Sequence, residues 1–254
     1  MNGYDFLPAA ANRNIGRAMH DWSMLAHGDR VLVGVSGGVD SLVLSTVLLS
    51  WQKKAPIRFD LLAVHLDMGF EPEGAAQRLV TAELKKINIP YLVETTDFGP
   101  RAEKAEDGKS VCFHCARRRR SRIFDLAHEH GCTKIALGHH KDDILETFLL
   151  NLLYSGNLST MVPCQKLFHN TMAIIRPLAY LQKTEIREIA ERAGLIPVKN
   201  PCPHDSGSHR QKTRALLAHI HDTIPNAGAS MFNALGNVRE EYLLTGRRKN
   251  HSTP

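Results

Sequence analysis

Three groups of residues in this chain combine types and spacings that could do chemistry. The first is the run Val33-Gly34-Val35-Ser36-Gly37-Gly38-Val39-Asp40-Ser41, which follows a strand-like stretch and opens a helix-like one. Glycines there let the backbone approach an anion closely and adopt positive φ. The unpaired N–H groups of a helix start then point at phosphate oxygens, aided by the helix dipole. Ser36 and Ser41 can add hydroxyl donors. Asp40 stands where a Walker loop carries lysine, and a carboxylate beside phosphates makes sense if it holds Mg²⁺. The plainer alternative is a strand–turn–helix with an Asp cap and no ligand.

The second group is Gly138-His139-His140-Lys141-Asp142-Asp143, again between a strand-like and a helix-like stretch. Asp142 and Asp143 could cap that helix and nothing more. At the carboxyl end of a parallel strand, however, they would face a ligand crevice. The third group is Cys112-Phe113-His114-Cys115, leading into a helix, with Cys202 far downstream. A CxxC fits half a zinc site, a redox dithiol or part of an iron–sulfur site. No second CxxC exists to complete a four-cysteine zinc site, although His114, His204, Cys132 or Cys164 could complete one. Cys132, just before a strand, and Cys164, in a connecting segment, read as inert structural thiols.

These groups need a scaffold to position them. Apolar periodicity predicts helix over 11–26, strand over 31–35, helix over 39–51, strand over 61–66, helix over 75–87 and strand over 91–95. Residues 97–110 read as a long mobile loop. Helix is expected from about 115 to 130, strand over 134–137 and helix over 142–153; after Pro177 come helices over 182–193, 208–223 and 229–244 with no strand between them. Strands alternating with helices imply an α/β fold with right-handed crossovers and a parallel sheet covered on both faces. The expected organisation is an N-terminal helical segment (1–28), an α/β domain carrying both loops and the CxxC (29–178), and a helical C-terminal region with the third cysteine (179–254).

With 254 residues, 43% of them hydrophobic, the chain can bury a core. It contains no 18-residue apolar run and no secretory signal pattern, so the default is a cytoplasmic protein without a membrane span. Five cysteines in a reducing compartment argue against disulfides and turn the question to metal or redox chemistry. A net charge of +6 leans toward an anionic partner such as nucleic acid. Arg117, Arg118, Arg119, Arg120 and Arg122 spread around more than half of a helix. They form either a solvated face with one or two arginines paired to carboxylates or a surface that grips phosphates. Arg210, Lys212 and Arg214, and Arg247, Arg248 and Lys249 in the tail, could extend it.

The string Ser36-Gly37-Gly38-Val39-Asp40-Ser41 resembles the signature of the PP-loop ATP pyrophosphatase family, and Gly138–Asp143 resembles that family's second nucleotide-side motif. The resemblance implies a parallel-sheet, adenine-nucleotide alpha-hydrolase-like fold with a helical C-terminal extension. It implies ATP cleaved between its α and β phosphates, with AMP passed to the substrate. It also implies nucleotide contacts from Val35, Ser36, Gly37, Gly38, Asp40, Ser41, Gly138, His139, Asp142 and Asp143, with Mg²⁺ on Asp40 and Asp143. Asp67 resembles the family's residue near the ATP, and Ala63 to Leu66 would contact adenine through the backbone.

The CxxC followed by a basic helix, then GHHKDDILETFLLNLLYSGNLSTM, then Ile175-Arg176-Pro177-Leu178, is similar over about residues 12–245 to the tRNA 2-thiocytidine synthetase family. This implies a 4Fe-4S cluster on Cys112, Cys115 and Cys202, with one iron left to present sulfide as a nucleophile. It implies catalytic roles for those cysteines and Asp40, and O2 of a cytidine in the anticodon loop as the adenylated atom. It implies tRNA as the partner and a sulfur donor such as a cysteine desulfurase or free sulfide, and it allows a homodimer. The sequence departs from the pattern at Val39, where the family usually shows lysine, and at Pro203-His204-Asp205, where a second cysteine is common. The related tRNA 2-thiouridine enzymes carry flanking zinc-finger cysteines that are absent here, which favours cytidine. The alternatives are a PP-loop enzyme that thiolates or amidates a uridine in tRNA or a small molecule, and a zinc-stabilised RNA-binding relative that has lost ATP chemistry. The intact Ser36–Ser41 and Asp142–Asp143 sets speak against such loss.

Overall fold

The computed structural model describes residues 6–71, 73–204 and 209–244. The chain opens with α1 (Ala9–Asp21), then alternates β1 (Arg30–Gly34), α2 (Val39–Lys54), β2 (Asp60–Asp67), α3 (Ala75–Ile87) and β3 (Tyr91–Thr95). Helices α4 (Phe98–Glu103) and α5 (Val111–Glu129) lead to β4 (Lys134–Ala136) and α6 (Lys141–Tyr154). A hairpin of β5 (Cys164–Leu167) and β6 (Met172–Ile175) follows, then α7 (Lys183–Arg192), α8 (His209–Thr223), α9 (Ala227–Ala234) and a 3₁₀ turn, Glu240–Tyr242.

The strands form one sheet in the order β3-β2-β1-β4-β6-β5. Every neighbouring pair is parallel except β5 against β6. Side chains alternate across it. Val31, Val33, Leu61, Ala63, Ala173 and Ile175 pack into a layer with α1, α2, α3 and α7. Leu32, Val64, Leu66 and Ile135 pack against Leu126 and Ala127 of α5. Both faces are therefore dry, which is why the strands read as near-continuous apolar runs. Ile15 of α1 and Ile186 and Ile189 of α7 are fully buried in the same core as β1, so these two helices belong to the sheet's own layer. Helices α8 and α9 instead pack on α6 around Leu145, Leu149 and Leu217.

The strand order sets the position of the site. From β1 the chain winds outward through β2 and β3, then crosses back to β4 on the other side of β1. That reversal opens a crevice beyond the carboxyl ends of β1 and β4, where open α/β sheets bind ligands. Both glycine-containing loops begin there.

Four expectations change. The connecting segment around Cys164 is the β5–β6 hairpin. Its turn residues Phe168, His169 and Asn170 all take positive φ without a glycine to announce it, and β5 is largely exposed. The loop over 97–110 contains α4, ordered by Gly99, whose N–H donates to the Met68 carbonyl (2.7 Å) and whose missing side chain makes room for Phe70. The helix carrying the CxxC starts at Val111 and not near 115, because Ser110 caps it by accepting from the Phe113 N–H (3.2 Å). The last helix ends at Ala234, and the chain turns through Gly236 and Asn237 before the 3₁₀ turn.

Candidate active site

The segment after β1 is built around two serines. Ser41 Oγ donates to the Gly38 carbonyl (2.8 Å) and accepts from the Ser36 N–H (3.2 Å). Ser36 Oγ accepts from the Gly38 N–H (3.3 Å) and lies 3.4 Å from Ser41 Oγ. This internal bonding holds the turn in shape. Gly37 has φ +87°, a conformation that excludes most side chains. The opening amides of α2 have no partner within the helix; its first turn carries no side-chain cap. Val35 is buried: its N–H donates to the Val64 carbonyl (2.8 Å), and its own carbonyl lies 2.9 Å from His65 Nδ1. Burial pulls the His65 pKa below its ordinary value, against the opposing effects of that hydrogen bond and the Asp67 charge.

The loop after β4 meets the first loop directly. A side-chain carbon on Gly138 would stand 2.9 Å from the Asp40 carbonyl carbon and 3.0 Å from the Ser41 nitrogen. Only glycine permits that approach. Asp143 accepts from the His140 N–H (3.0 Å), closing the start of α6. The buried His140 ring lies 3.3 Å from both Asp142 and Asp143 and 3.7 Å from Asp40. Burial raises the Asp142 pKa, but His140 and the Lys183 N–H more than offset it, so the carboxyl sits below its ordinary range. His139 is pushed down to about 4, chiefly by burial, so its ring is neutral at pH 7; its Nδ1 has no hydrogen-bond partner among the described residues.

A third element enters that the sequence reading did not include. Lys183, the first residue of α7, places Nζ 2.5 and 2.8 Å from the two Asp40 oxygens. Its N–H donates to Asp142 Oδ2 (2.9 Å), and the Lys141 N–H donates to the Leu181 carbonyl (2.9 Å). The N-termini of α2, α6 and α7 thus converge on one crevice. Each brings the positive end of a helix dipole; the first amides of α6 and α7 are spent on Leu181 and Asp142, so the amides free for an anion are those that open α2.

The cysteines lie next to this crevice. Val198 donates its N–H to the Gly37 carbonyl (3.0 Å), which fastens the segment leading to Cys202 onto the first loop. Beyond Cys202, the His204 carbonyl accepts from Cys112 Sγ (3.7 Å), and the His204 ring bonds to Glu103 (2.8 Å). Cys112 and Cys115 share one face of α5, as an i, i+3 pair does. Burial raises the Cys115 pKa, and the charges of Cys202 and Cys112 add to it, partly opposed by Arg119. All five cysteines are free. Among the described residues no three potential ligand side chains meet tightly enough to hold a single ion. Cysteine thiolates are the ligands that iron–sulfur clusters take, and the His204 bond brings the Cys202 segment to Cys112, so the residue types present fit such a group.

Residues 8–219 match the family model described as the PP-loop domain. The tRNA-cytidine(32) 2-sulfurtransferase of Syntrophotalea carbinolica is 37% identical over 94% of this chain and 92% of its own length. That of Alkalilimnicola ehrlichii is 40% identical over 90% of this chain and 73% of its own. The chain belongs to the tRNA-cytidine(32) 2-sulfurtransferase family of PP-loop proteins. Among solved structures, the U34-tRNA thiolase NcsA from Methanococcus maripaludis with its [4Fe-4S] cluster has a TM-score of 0.75 at 22% identity, covering 92% of this chain and 78% of that one. The NH3-dependent NAD synthetase of Campylobacter jejuni has a TM-score of 0.51 at 15% identity, covering 100% of this chain and 98% of that one. Both share the α/β fold.

Within this PP-loop chain the expected site residues divide. Ser36, Gly37, Gly38, Asp40, Ser41, Gly138, His139, Asp142 and Asp143 line or brace the crevice, and Val35 supports it from below. Asp67 sits one strand over, where its Oδ1 accepts from the Gly69 N–H (3.0 Å) and its carbonyl accepts from the Thr96 hydroxyl (2.7 Å); it shapes the loop beside α4. Ala63 is not brought to the crevice surface: it is fully buried, with its N–H given to the Pro90 carbonyl. The arginine run also divides. Arg122 is held between Glu94 and Glu129, at 2.7 Å from each. Arg119 lies two helical turns beyond Cys112 on the cysteine face; burial among its neighbours pulls its pKa down, with the Cys115 charge opposing and Arg120 and Arg210 adding. Arg210 reaches Asp143 at 3.6 Å and Glu146 at 3.5 Å, while Arg214 is bound to Glu146 (2.8 Å). Arg247, Arg248, Lys249 and Asp205 lie outside the described residues. No described helix is long and apolar enough to cross a membrane.

Proposed function

We propose that the chain is an ATP-dependent tRNA sulfurtransferase that activates O2 of a cytidine and exchanges that oxygen for sulfur, with Cys112, Cys115 and Cys202 holding a 4Fe-4S cluster. The observation that carries this reading is the hydrogen bond from the Val198 N–H to the Gly37 carbonyl. It joins the third cysteine's segment to the phosphate loop, while His204 joins the same segment to Cys112. Activated base and sulfur can then meet over one crevice. The relatives' names support tRNA and cytidine as the substrate.

In this reading the opening amides of α2, with the Ser36 hydroxyl, bind the phosphates, and the dipoles of α6 and α7 add positive potential. O2 bonds to the α-phosphate and pyrophosphate leaves; the preorganised donors stabilise the charge moving onto it. Asp40, Asp142 and Asp143 would hold Mg²⁺, which supplies further charge neutralisation when bound. Sulfur then bonds to C2 and AMP leaves with the oxygen. The cluster would supply, when bound, a coordination position at which sulfide is a nucleophile. His139, kept neutral by burial, adds no charge to the site at pH 7.

Cys202→Ala tests the division of labour. The variant, purified anaerobically beside wild type, is expected to lose iron, visible absorbance and thiolation while keeping its affinity for an ATP analogue. Loss of analogue binding in parallel would break the proposed separation of sites, and one zinc per wild-type chain would favour the zinc-stabilised relative. Nucleoside analysis of tRNA from cells lacking the protein identifies the modified base: 2-thiocytidine is expected to disappear, and loss of a thiouridine instead would reassign the substrate.

A further inference from the structure

We propose that Lys183 is a nucleotide-binding residue: α7 delivers to the phosphate loop the cation that a Walker loop carries within its own sequence. This rests on the ATP use proposed above and adds a residue to it. The loop itself offers no cation. Its candidate position, Val39, packs against the apolar core, and the next residue is a carboxylate. Asp40, Asp142 and Asp143 crowd into the crevice with His140, within 3.3 to 3.7 Å of its ring. Three carboxylates would repel a polyphosphate unless cations offset them. Lys183 is the cation seated deepest among them, with Nζ in contact with both Asp40 oxygens.

The placement is fixed by the backbone. The Lys183 N–H is bound to Asp142 and the preceding turn to Lys141, so the side chain starts from a point tied to α6 and reaches back to α2. Both charged side chains keep 31% of their surface exposed, so the pair opens onto the crevice and a phosphate oxygen can reach the ammonium group. An ordinary surface ion pair would lack this double anchoring and would not sit where three helix N-termini meet.

Lys183→Met and Lys183→Arg, compared with wild type, test the proposal with two probes: an ATP analogue bearing a methylene α–β bridge, and Mn²⁺ alone followed by electron paramagnetic resonance. The backbone hydrogen bond to Asp142 survives either substitution, and a thermal melt checks the fold. Lys183→Met is expected to bind the analogue about 10- to 100-fold more weakly, the range of one charge-assisted hydrogen bond, yet to bind Mn²⁺ more tightly because Asp40 has lost its counter-ion. Lys183→Arg should recover part of the analogue affinity. Opposite signs for the two probes are what a merely structural role cannot give. Wild-type affinity in Lys183→Met would overturn the inference and leave ATP use standing, and so would parallel weakening of both probes. Failure of wild type itself to bind the analogue would overturn both.

Discussion

Substituting Gly138 by alanine tests whether the two loops form one nucleotide site. The added carbon would lie 2.9 Å from the Asp40 carbonyl carbon, 3.0 Å from its oxygen and 3.0 Å from the Ser41 nitrogen. Ordinary contact between carbons begins near 3.5 Å, so one loop must retreat by about half an ångström. All three atoms are backbone, and none can rotate away. The φ of Gly138 is ordinary, so alanine brings no conformational penalty of its own and the contact is the whole effect. Overpacking of this kind costs about 1–3 kcal/mol, a fall in Tm of about 2–10 °C for a chain of this size. The displaced atoms open α2, whose amides are the proposed phosphate donors, and a misplacement of ~1 Å can cost ~10²-fold. About tenfold weaker binding of the methylene analogue is therefore expected, measured by isothermal titration. Two neighbours serve as controls. Gly34→Ala would touch chiefly the Leu137 Cδ2 methyl at 3.0 Å, which can swing aside, so little change is expected. Gly131 has φ +63° with nothing within 4 Å; its alanine variant should lose stability and keep analogue binding. If Gly138→Ala bound the analogue as wild type does, the loop after β4 would have no part in the nucleotide site.

The arginine run should separate into structure and recognition. Arg122→Ala should cost about 1 kcal/mol, since the pairs with Glu94 and Glu129 are partly exposed, and leave tRNA affinity unchanged. Arg119→Ala should leave Tm unchanged but weaken tRNA binding and reduce the slope of log K against log salt by about 0.7–0.9; the reverse assignment of effects would refute the division. For His65 the folded-state pKa lies below the unfolded one, so the unfolded chain binds the extra proton in acid. Its contribution to stability is fully present above the unfolded value of about 6.5 and is lost as pH falls below it. His65→Asn should flatten that acid-side slope in chemical unfolding; a slope as steep as wild type would place its origin elsewhere.

What the sequence revealed, and what it hid, follows from the range of the interactions. Strands β1 and β2 were legible because burial on both sheet faces writes itself as continuous apolar runs, and the loop after β1 because its glycines and serines act locally. The convergence with Gly138–Asp143 depends on the strands before the two loops being neighbours, which alternation leaves open and the β1–β4 pairing supplies. Lys183 could not be inferred. It lies 143 residues from Asp40 on a helix that reads as ordinary amphipathic surface, and only the packing of α7 on α2 in the main core brings it in. The early start of α5 did have a local signal, Ser110 in N-cap position before Val111. The β5–β6 hairpin had none, with three non-glycine residues at positive φ in its turn. The division of the arginines was hidden because Glu94, the partner that removes Arg122 from recognition, belongs to β3.

The Val198 contact has a mechanical consequence for the proposed pairing of nucleotide and sulfur chemistry. Gly37 is constrained three times: by its positive φ, by the Val80 methyl that a side chain would strike at 2.6 Å, and by Val198, 3.4 Å from the same point. The Gly37 carbonyl also accepts the Val198 N–H. The segment carrying the third cysteine therefore rests on a tightly constrained residue of the loop. Its other end is tied to α5 through Cys112 and to α4 through the Glu103–His204 pair. Had Cys202 been carried on the α6–α8–α9 cluster, it could have shifted with that cluster, independently of the loop. Tied at Gly37 through Val198 and at α5 and α4 through His204, the segment is held at both ends by contacts to the sheet's own elements and not to the α6–α8–α9 cluster.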